Sequence, residues 1–328
     1  MSELRRDALT GLMVIVAPHR DGRPSDRARL QASTRPPELP REDPACPFCP
    51  VGGGAHAKPI LSIPDLQAGG WRSRIVPNAF PAVRADPRAV EPPAMPGLGR
   101  HEVIVETPRH DLDLPDLTPD AFRAVVEITL ARMRQLTREP ETEALFVFRN
   151  HGAAAGSSLV HGHGQILALP FVPTELARRE AHLAATYERT GRNPFAAALE
   201  AERSDGRRIV AERPGFCAYV PFAAEAPFEL RIQPERDSAD PFDLDPPEIG
   251  PLSDLLRDCL IRLRRRAGDP AYNLLWSTMS RPHRRAPFAG WCLRILPRRV
   301  PGGGFERASG VSILSSAPET DAARLRGA

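Results

Sequence analysis

The residues best placed to do chemistry are His161-Gly162-His163-Gly164-Gln165, preceded by Phe148-Arg149-Asn150-His151-Gly152 and Ala155-Gly156-Ser157-Ser158. Alternate positions of an extended chain share one face, so His161, His163 and Gln165 should point together. The intervening glycines would let a ligand approach the backbone. Two imidazoles and an amide on one face are expensive for a core, which favours a site over structural histidines near a bend. Imidazole suits attack on phosphorus because much of it is neutral near pH 7. A phosphorus-bound imidazole is also a good leaving group, so one hard substitution becomes two easier ones. The loop before it offers backbone N–H groups, the Ser157 and Ser158 hydroxyls and the Asn150 amide as donors to phosphate oxygens.

Cys46-Pro47-Phe48-Cys49 is a second signal. Two cysteines separated by two residues supply half of a tetrahedral zinc site. His56, His101, His110, His151 and His161 are the histidine candidates for the other half. The remaining cysteines, Cys217, Cys259 and Cys292, have no close partner, and in a reducing compartment a close pair points to metal before disulfide. A third feature is the arginine pair Arg20 and Arg23; arginine forks bind phosphate, although solvated loops also carry such pairs.

Positioning these groups requires strands and helices that the pattern supplies. Strand-like runs fall at 12–17, 60–63, 74–77, 101–106, 144–148 and 165–169. Thr118-Pro119-Asp120 is a helix start, and Phe122, Val125, Val126, Ile128, Leu130 and Met133 fit one buried face after it. A second helix begins near Thr174. The later half repeats the grammar, with strands at 208–212, 218–220 and 228–232, a helix over 247–266, and strands at 272–276 and 291–296. Strand, loop, strand after a long helix therefore occurs twice, as in a diverged internal duplication. The expected fold is α+β, mostly antiparallel.

The bulk numbers set limits. The 328 residues are 41% hydrophobic and 26% charged, enough to bury a core in one large domain or two fused ones. A net charge of +3 is too small to argue for nucleic acid. No apolar run approaches the roughly 20 residues that cross a bilayer, and residues 1–10 lack a signal-peptide core, so a cytoplasmic protein is expected.

Taken together, the sequence resembles the galactose-1-phosphate uridylyltransferase family, including its ADP-glucose phosphorylase-like members, within the histidine-triad superfamily. The matching residues are Ala17-Pro18-His19-Arg20 with Arg23-Pro24, Cys46-Pro47-Phe48-Cys49 and Val76-Pro77-Asn78-Ala79-Phe80-Pro81. They continue with His101-Glu102-Val103-Ile104-Val105-Glu106, Thr107-Pro108-Arg109-His110, the block 148–173 and Gly304-Phe305-Glu306. The resemblance implies two fused histidine-triad-like halves, 1–195 with the zinc site and nucleophile and 196–328 more diverged. It implies one structural zinc on Cys46, Cys49, His110 and His161, His163 as nucleophile, and Gln165 on the phosphoryl oxygen. Relatives that hydrolyse nucleotides usually carry histidine at the position of Gln165; glutamine, neither acid nor base, would let the adduct wait for a sugar phosphate. Arg20, Arg23 and Asn78 match nucleotide-binding positions, Asn150 and Ser158 match phosphate contacts, and Phe305 and Glu306 match the part that touches sugar hydroxyls. A homodimer is implied by analogy, because relatives commonly build the sugar site across two subunits.

The chain also departs from the family. Where uridylyltransferases often place a second metal on a His-x-His, it reads Gly290-Trp291-Cys292, and the acid expected after the nucleophile strand aligns with Arg179, beside Glu180. No second metal is expected. A lysine expected before the Gly-Phe-Glu segment is missing, with Arg298 and Arg299 nearby, and an acid expected beside Asn78 is Ala79. The implied activity is transfer of a nucleoside monophosphate, UMP first, between a nucleotide sugar and a hexose 1-phosphate. The alternatives are a nucleotide-sugar phosphorylase and a non-catalytic nucleotide-binding protein.

Overall fold

The structure is a computed structural model and describes residues 2–20, 38–51, 58–298 and 303–328. Helix α1 (Pro119–Leu136) begins where the sequence places it, with the Thr118 side chain accepting from the Ala121 N–H and Pro119 at the first helical position. Its expected apolar face is buried throughout, from Phe122 to Met133. Helix α4 (Pro246–Ala267) starts at a capping box of Asp245 and Glu248 and buries Ile249, Leu252, Leu256, Leu260 and Leu263. Both helices pack on one face of a ten-stranded sheet, over Ile104, Val147, Ile166, Ile232, Leu274 and Leu293.

The first five strands of that sheet are β3 (Leu61–Pro64), β4 (Trp71–Pro77), β5 (Arg100–Val105), β6 (Ala144–His151) and β7 (His163–Leu169). The other five are β8 (Ile209–Arg213), β9 (Phe216–Tyr219), β10 (Leu230–Pro234), β11 (Tyr272–Ser277) and β12 (Cys292–Pro297). Their spatial order is β3-β4-β5-β7-β6-β11-β12-β10-β9-β8, all antiparallel. Each half thus runs three strands, a long helix and two more strands, and inserts its last strand between its third and fourth. The halves join edge to edge where β6 pairs β11, with Asn150 opposite Asn273. The repeated grammar of the sequence is this repeated topology. Residue 195, the expected boundary, falls in the first turn of α3 (Pro194–Asp205).

The two halves differ on the sheet face away from α1 and α4. Over the second half, α2 (Thr174–Thr190) and α3 cover it, with Leu183 and Phe195 against Met279 and Cys292, and Leu199 against Cys217 and Tyr219. Over the first half, the apolar cluster on that face comprises, among the described residues, Val76, Val103 and Val105 with Phe48 and Trp71 packed against them. That leaves room for a site.

The sequence reading gave residues 1–10 no strand. The structure places β1 (Glu3–Arg6) there, in a small sheet with β2 (Met13–Val16) and β13 (Ser312–Leu314). Only Arg5 of β1 is buried, so ladder pairing and the Arg5–Glu319 ion pair hold this strand, and it has no apolar pattern to detect. Helices α5 (Gly304–Ser309) and α6 (Pro318–Arg326) complete the chain. No helix among the described residues is long and apolar enough to cross a membrane.

Candidate active site

Four of the predicted ligands meet behind the nucleophile strand. Cys46, Cys49, His110 and His161 are all buried, with ligand atoms within 4.8 Å of one another. His161 Nδ1 lies 3.5 Å from Cys46 Sγ and 3.6 Å from Cys49 Sγ, and His110 Nδ1 lies 3.5 Å from Cys49 Sγ. A tetrahedral zinc with ordinary Zn–S and Zn–N bonds sets sulfur and nitrogen about 3.6 Å apart, so the donor set fits such an ion. Two further details agree. His161 Nε2 faces the Thr107 carbonyl at 2.8 Å, which places its proton there and leaves Nδ1 as the ligand atom. The N–H groups of Asp43 and Phe48 point at Cys49 and Cys46 sulfur, at 3.3 and 3.5 Å, where they temper thiolate charge. Without a cation the Cys49 thiol resists ionisation, since burial pushes it up to about 11, with Cys46 adding to the rise. Of the other histidine candidates, His101 and His151 lie elsewhere and His56 lies outside the described residues.

His163 opens β7 beside this cluster, and Phe48 of the Cys46–Cys49 turn packs on both His161 and His163, with ring centroids 5.9 and 5.2 Å away. The expectation that the two imidazoles share a face therefore holds. His163 Nδ1 is 2.9 Å from the His161 carbonyl oxygen, to which it donates. Its proton is then on Nδ1, and the Nε2 lone pair is left for a phosphorus atom. Burial, aided by the Arg149 charge and opposed by the bond to His161, holds this imidazole below its ordinary value, so it stays neutral at neutral pH.

The glycines between these residues have a different use from the one expected. They face the opposite side of the sheet, where a Cβ on Gly162 would sit 2.7 Å from Glu106 Oε2, and one on Gly164 would sit 3.4 Å from Ile104 Cδ1. Gly164 makes room for the Ile104 side chain of the apolar core, and Gly162 for a buried charge network. In it Arg149 pairs with Glu106 at 2.7 Å and with Asp113, while His151 lies between Asp113 (3.1 Å) and Asp269 (3.2 Å).

Gln165 lies two residues along β7, opposite Val103 and Phe148. Its Oε1 is 2.8 Å from His101 Nε2, and Asn78 Nδ2 is 3.0 Å from the same nitrogen. The register thus brings Asn78 and Gln165, predicted for nucleotide and phosphoryl oxygen, to one histidine.

The phosphate loop is the 3₁₀ turn Ala153–Ala155 and the residues after it, lining a cavity of about 200 Å3 with Asn150, Ser157, Ser158, His161 and His163. Part of its expected donor set is engaged within the loop itself. The N–H groups of Ala155 and Ser157 donate to Gly152 O, that of Gly156 donates to Ala153 O, and the Ser157 hydroxyl donates to Leu159 O at 2.8 Å. Asn150 and Ser158 remain as side-chain donors. Sequence reasoning missed what aims Asn150. Asn273 Nδ2 donates to Asn150 Oδ1 (2.8 Å) and to Ala155 O (2.9 Å), and Arg298 Nε donates to Asn273 Oδ1. Arginine only donates, so the polarity of this chain is fixed and the Asn150 N–H groups turn toward the loop. The signal was a lone asparagine in the apolar run Tyr272-Asn273-Leu274-Leu275-Trp276.

Other predicted residues stand apart. Arg20 ends a short 3₁₀ turn, Pro18–Arg20, and Arg23 lies outside the described residues. Phe305 and Glu306 lie on α5, with Phe305 half-exposed, and neither lines the His163 cavity. Glu180 is the buried acid after the nucleophile strand; it accepts from the Ser280 N–H and hydroxyl and pairs with His283 Nδ1 at 2.8 Å. Arg179, which sequence alignment placed there, bonds Ser277 and Thr278 instead.

The chain as a whole is similar to known proteins. The profile of the galactose-1-phosphate uridyl transferase N-terminal domain matches residues 1–173, more than half of the chain. The chain belongs to the galactose-1-phosphate uridyl transferase family. Among relatives within and beyond that name, ADP-glucose phosphorylase of Arabidopsis thaliana is 30% identical over 99% of this chain and 92% of its own length. Galactose-1-phosphate uridylyltransferase of Streptomyces lividans is 33% identical over 74% of this chain and 59% of its own. The crystal structure of the Arabidopsis phosphorylase with bound ADP-glucose superposes with a TM-score of 0.85 at 28% identity, covering 100% of this chain and 99% of that one. A uridylyltransferase structure gives 0.76 at 27% identity, covering 100% and 98%. Members of the galactose-1-phosphate uridyl transferase family are thus nucleotidyltransferase- or phosphorylase-type enzymes, and this chain is one by sequence and by fold.

Proposed function

We propose that the protein transfers a nucleoside monophosphate, UMP first, between a nucleotide sugar and a hexose 1-phosphate through a covalent bond to His163. The observation that carries this reading is the His163 Nδ1 bond to the His161 carbonyl, which leaves Nε2 unprotonated beside the phosphate loop. Nε2 attacks the α-phosphorus, the phosphorus–oxygen bond to the sugar phosphate breaks, and the sugar 1-phosphate departs with that electron pair. A second sugar 1-phosphate then attacks the same phosphorus, and the electrons of the phosphorus–nitrogen bond return to Nε2. Gln165, Asn150 and Ser158 donate to the phosphoryl oxygens as charge shifts. Arg20, Arg23 and Asn78 hold the nucleotide, with Ser157 shaping the loop and Phe305 and Glu306 serving the sugar site of a homodimer.

Cys46, Cys49, His110 and His161 would hold zinc, whose contribution is structural: it ties the Cys46–Cys49 turn and the His110 turn to the start of β7. Residues 1–195 carry the chemistry, and 196–328 support it. A second reading, phosphorolysis of a nucleotide sugar such as ADP-glucose by inorganic phosphate, is favoured by one observation. The similarity to the Arabidopsis phosphorylase runs through both chains, whereas that to the Streptomyces uridylyltransferase covers 59% of the relative. Phosphate would take the place of the second sugar phosphate at the same adduct.

The test is intact mass under non-acidic conditions after incubation with UDP-glucose, UDP-galactose, ADP-glucose or GDP-sugars. A nucleoside monophosphate should add to the wild type and not to His163→Gly, and the added mass names the base. Turnover retained by folded His163→Gly would sink the reading. Product analysis with phosphate against galactose 1-phosphate separates transfer from phosphorolysis.

A further inference from the structure

We infer that His101 is a positioning residue that locks the Gln165 amide in one orientation and thereby steers the His163 adduct to phosphate acceptors and away from water. The inference rests on the covalent reading above and deepens it.

The tautomer of His101 follows from its neighbours. The Ala82 backbone N–H, which can only donate, gives its hydrogen to His101 Nδ1 at 3.0 Å. The neutral ring therefore carries its proton on Nε2. Two groups face that proton, and only one can accept it. Asn78 has its Oδ1 committed to the Phe80 N–H at 2.8 Å, so it presents Nδ2, itself a donor. Gln165 Oε1, 2.8 Å away, is the acceptor. An amide whose oxygen is held has its Nε2 directed elsewhere, and Gln165 Nε2 has no protein acceptor among the described residues. It is thus presented as a pure donor on the face that holds His163.

The consequence concerns which nucleophile the adduct meets. A phosphate or sugar phosphate oxygen arrives without a proton, attacks phosphorus, and returns the bonding pair to His163 Nε2. Water attacking the same atom must also shed a proton, which leaves to solvent. An amide oxygen turned into the site would accept a hydrogen bond from that water and aim its lone pair at phosphorus. An amide N–H favours the phosphoryl oxygen and the anionic acceptor instead. His101 removes the first orientation.

The experiment forms the adduct with the donor that labels wild-type protein and measures the ratio of nucleoside monophosphate released to product transferred at fixed acceptor. In His101→Leu the amide is released, and the ratio should rise about five-fold or more, the factor that one net hydrogen bond represents. His101→Gln, whose amide can still donate to Oε1, should stay within about two-fold of wild type. An unchanged ratio in His101→Leu, with the adduct formed, overturns the inference. If that variant does not fold, His101→Asn, too short to reach Gln165, takes its place with the same expected rise, and a wild-type ratio there also overturns it. Failure of wild-type protein to form any adduct would instead bring down the His163 reading and this inference with it.

Discussion

The amide relay from Arg298 through Asn273 to Asn150 gives the sharpest prediction about how the second half serves the first. Asn273 is buried and makes three directed bonds: it accepts from Arg298 and donates to Asn150 and Ala155. Asn273→Ala leaves Asn150 Oδ1 and Ala155 O without donors, at about 1–3 kcal/mol for each buried group left unpaired. The freed Asn150 amide can then flip, but half of its population still donates toward the phosphate, so kcat should fall only about two- to ten-fold. Asn273→Asp is harsher. It keeps the volume and the Arg298 contact, yet sets an acceptor against Asn150 Oδ1 and forces the flip. Removing one oxyanion-type donor costs about 100-fold or more in kcat, and that is the expected loss. Steady-state kinetics with the adduct-forming donor would read it, alongside an Asn150→Ala background. If Asn273 acts through Asn150, Asn150→Ala/Asn273→Asp should be no slower than Asn150→Ala alone. Asn273→Asp within two-fold of wild type, or additive losses in the double variant, would refute the relay.

Three further predictions follow from the same geometry. Purified protein should carry about one zinc per chain, and Cys49→Ala should lose it and melt at lower temperature; metal analysis finding none in carefully prepared wild type would defeat this. Gly162→Ala drives a methyl toward the buried Glu106 Oε2 and should destabilise the protein by about 1–3 kcal/mol in a denaturant titration; an unchanged midpoint would show that the charge network can give. Asp240 is fully buried, its oxygens have no hydrogen-bond partner among the described residues, and burial pushes its carboxyl up to about 7, from 3.8. Above pH 4 the unfolded chain ionises this group and the folded one does not, so stability falls as pH rises to about 7 and then levels off. Asp240→Asn should therefore be neutral at pH 4 and stabilising at pH 8, by at most about 4 kcal/mol; equal effects at the two pH values would contradict the assignment.

How much of this the sequence disclosed depended on range. The start of α1 was legible because Thr118 and Pro119 act within one turn, and the strands because period-two patterns are local. The Cys46–Cys49 pair and His163 declared themselves through residue type and spacing. Which histidines complete the metal cluster did not follow from spacing, since His56, His101, His110, His151 and His161 were equal candidates. The fold brings His110 and His161 to the cysteines, while His101 and His151 lie on β5 and β6 with other partners. Gly162 and Gly164 were legible as needed and misread in purpose, because the side chains they spare, Glu106 and Ile104, lie more than fifty residues away. Asn273 and His101 act through partners 123 and 64 residues distant, and no local pattern reports such pairs. The strand Glu3–Arg6 escaped for the opposite reason: it is held by ladder bonds and ions, with almost no apolar face to read.

The repeated topology also bears on why the proposed chemistry falls to one half. In the second half, β12 occupies the place that β7 holds in the first, and it opens with Cys292 and Arg294 where β7 opens with His163 and Gln165. The face those residues share is filled. Cys292 lies under Leu183 and Phe195, and Arg294 pairs with Glu225 and Glu229. Opposite Arg294, Arg231 pairs with Asp7, which the N-terminal segment carries in from 224 residues away. Arg231, Asp7 and Glu229 are buried and every one of these charges is paired, an arrangement that is costly to break by removing one partner. Among the described residues, the second half is therefore filled on the face where the first half holds His163 and Gln165. What it supplies across the β6–β11 seam is orientation: Asn273 and Arg298 reach the phosphate loop from a half whose own face is closed. Gly290 and Cys292, at the place of the His-x-His that the family resemblance implied, belong to that filled face, where a Cβ on Gly290 would run into the Phe195 ring.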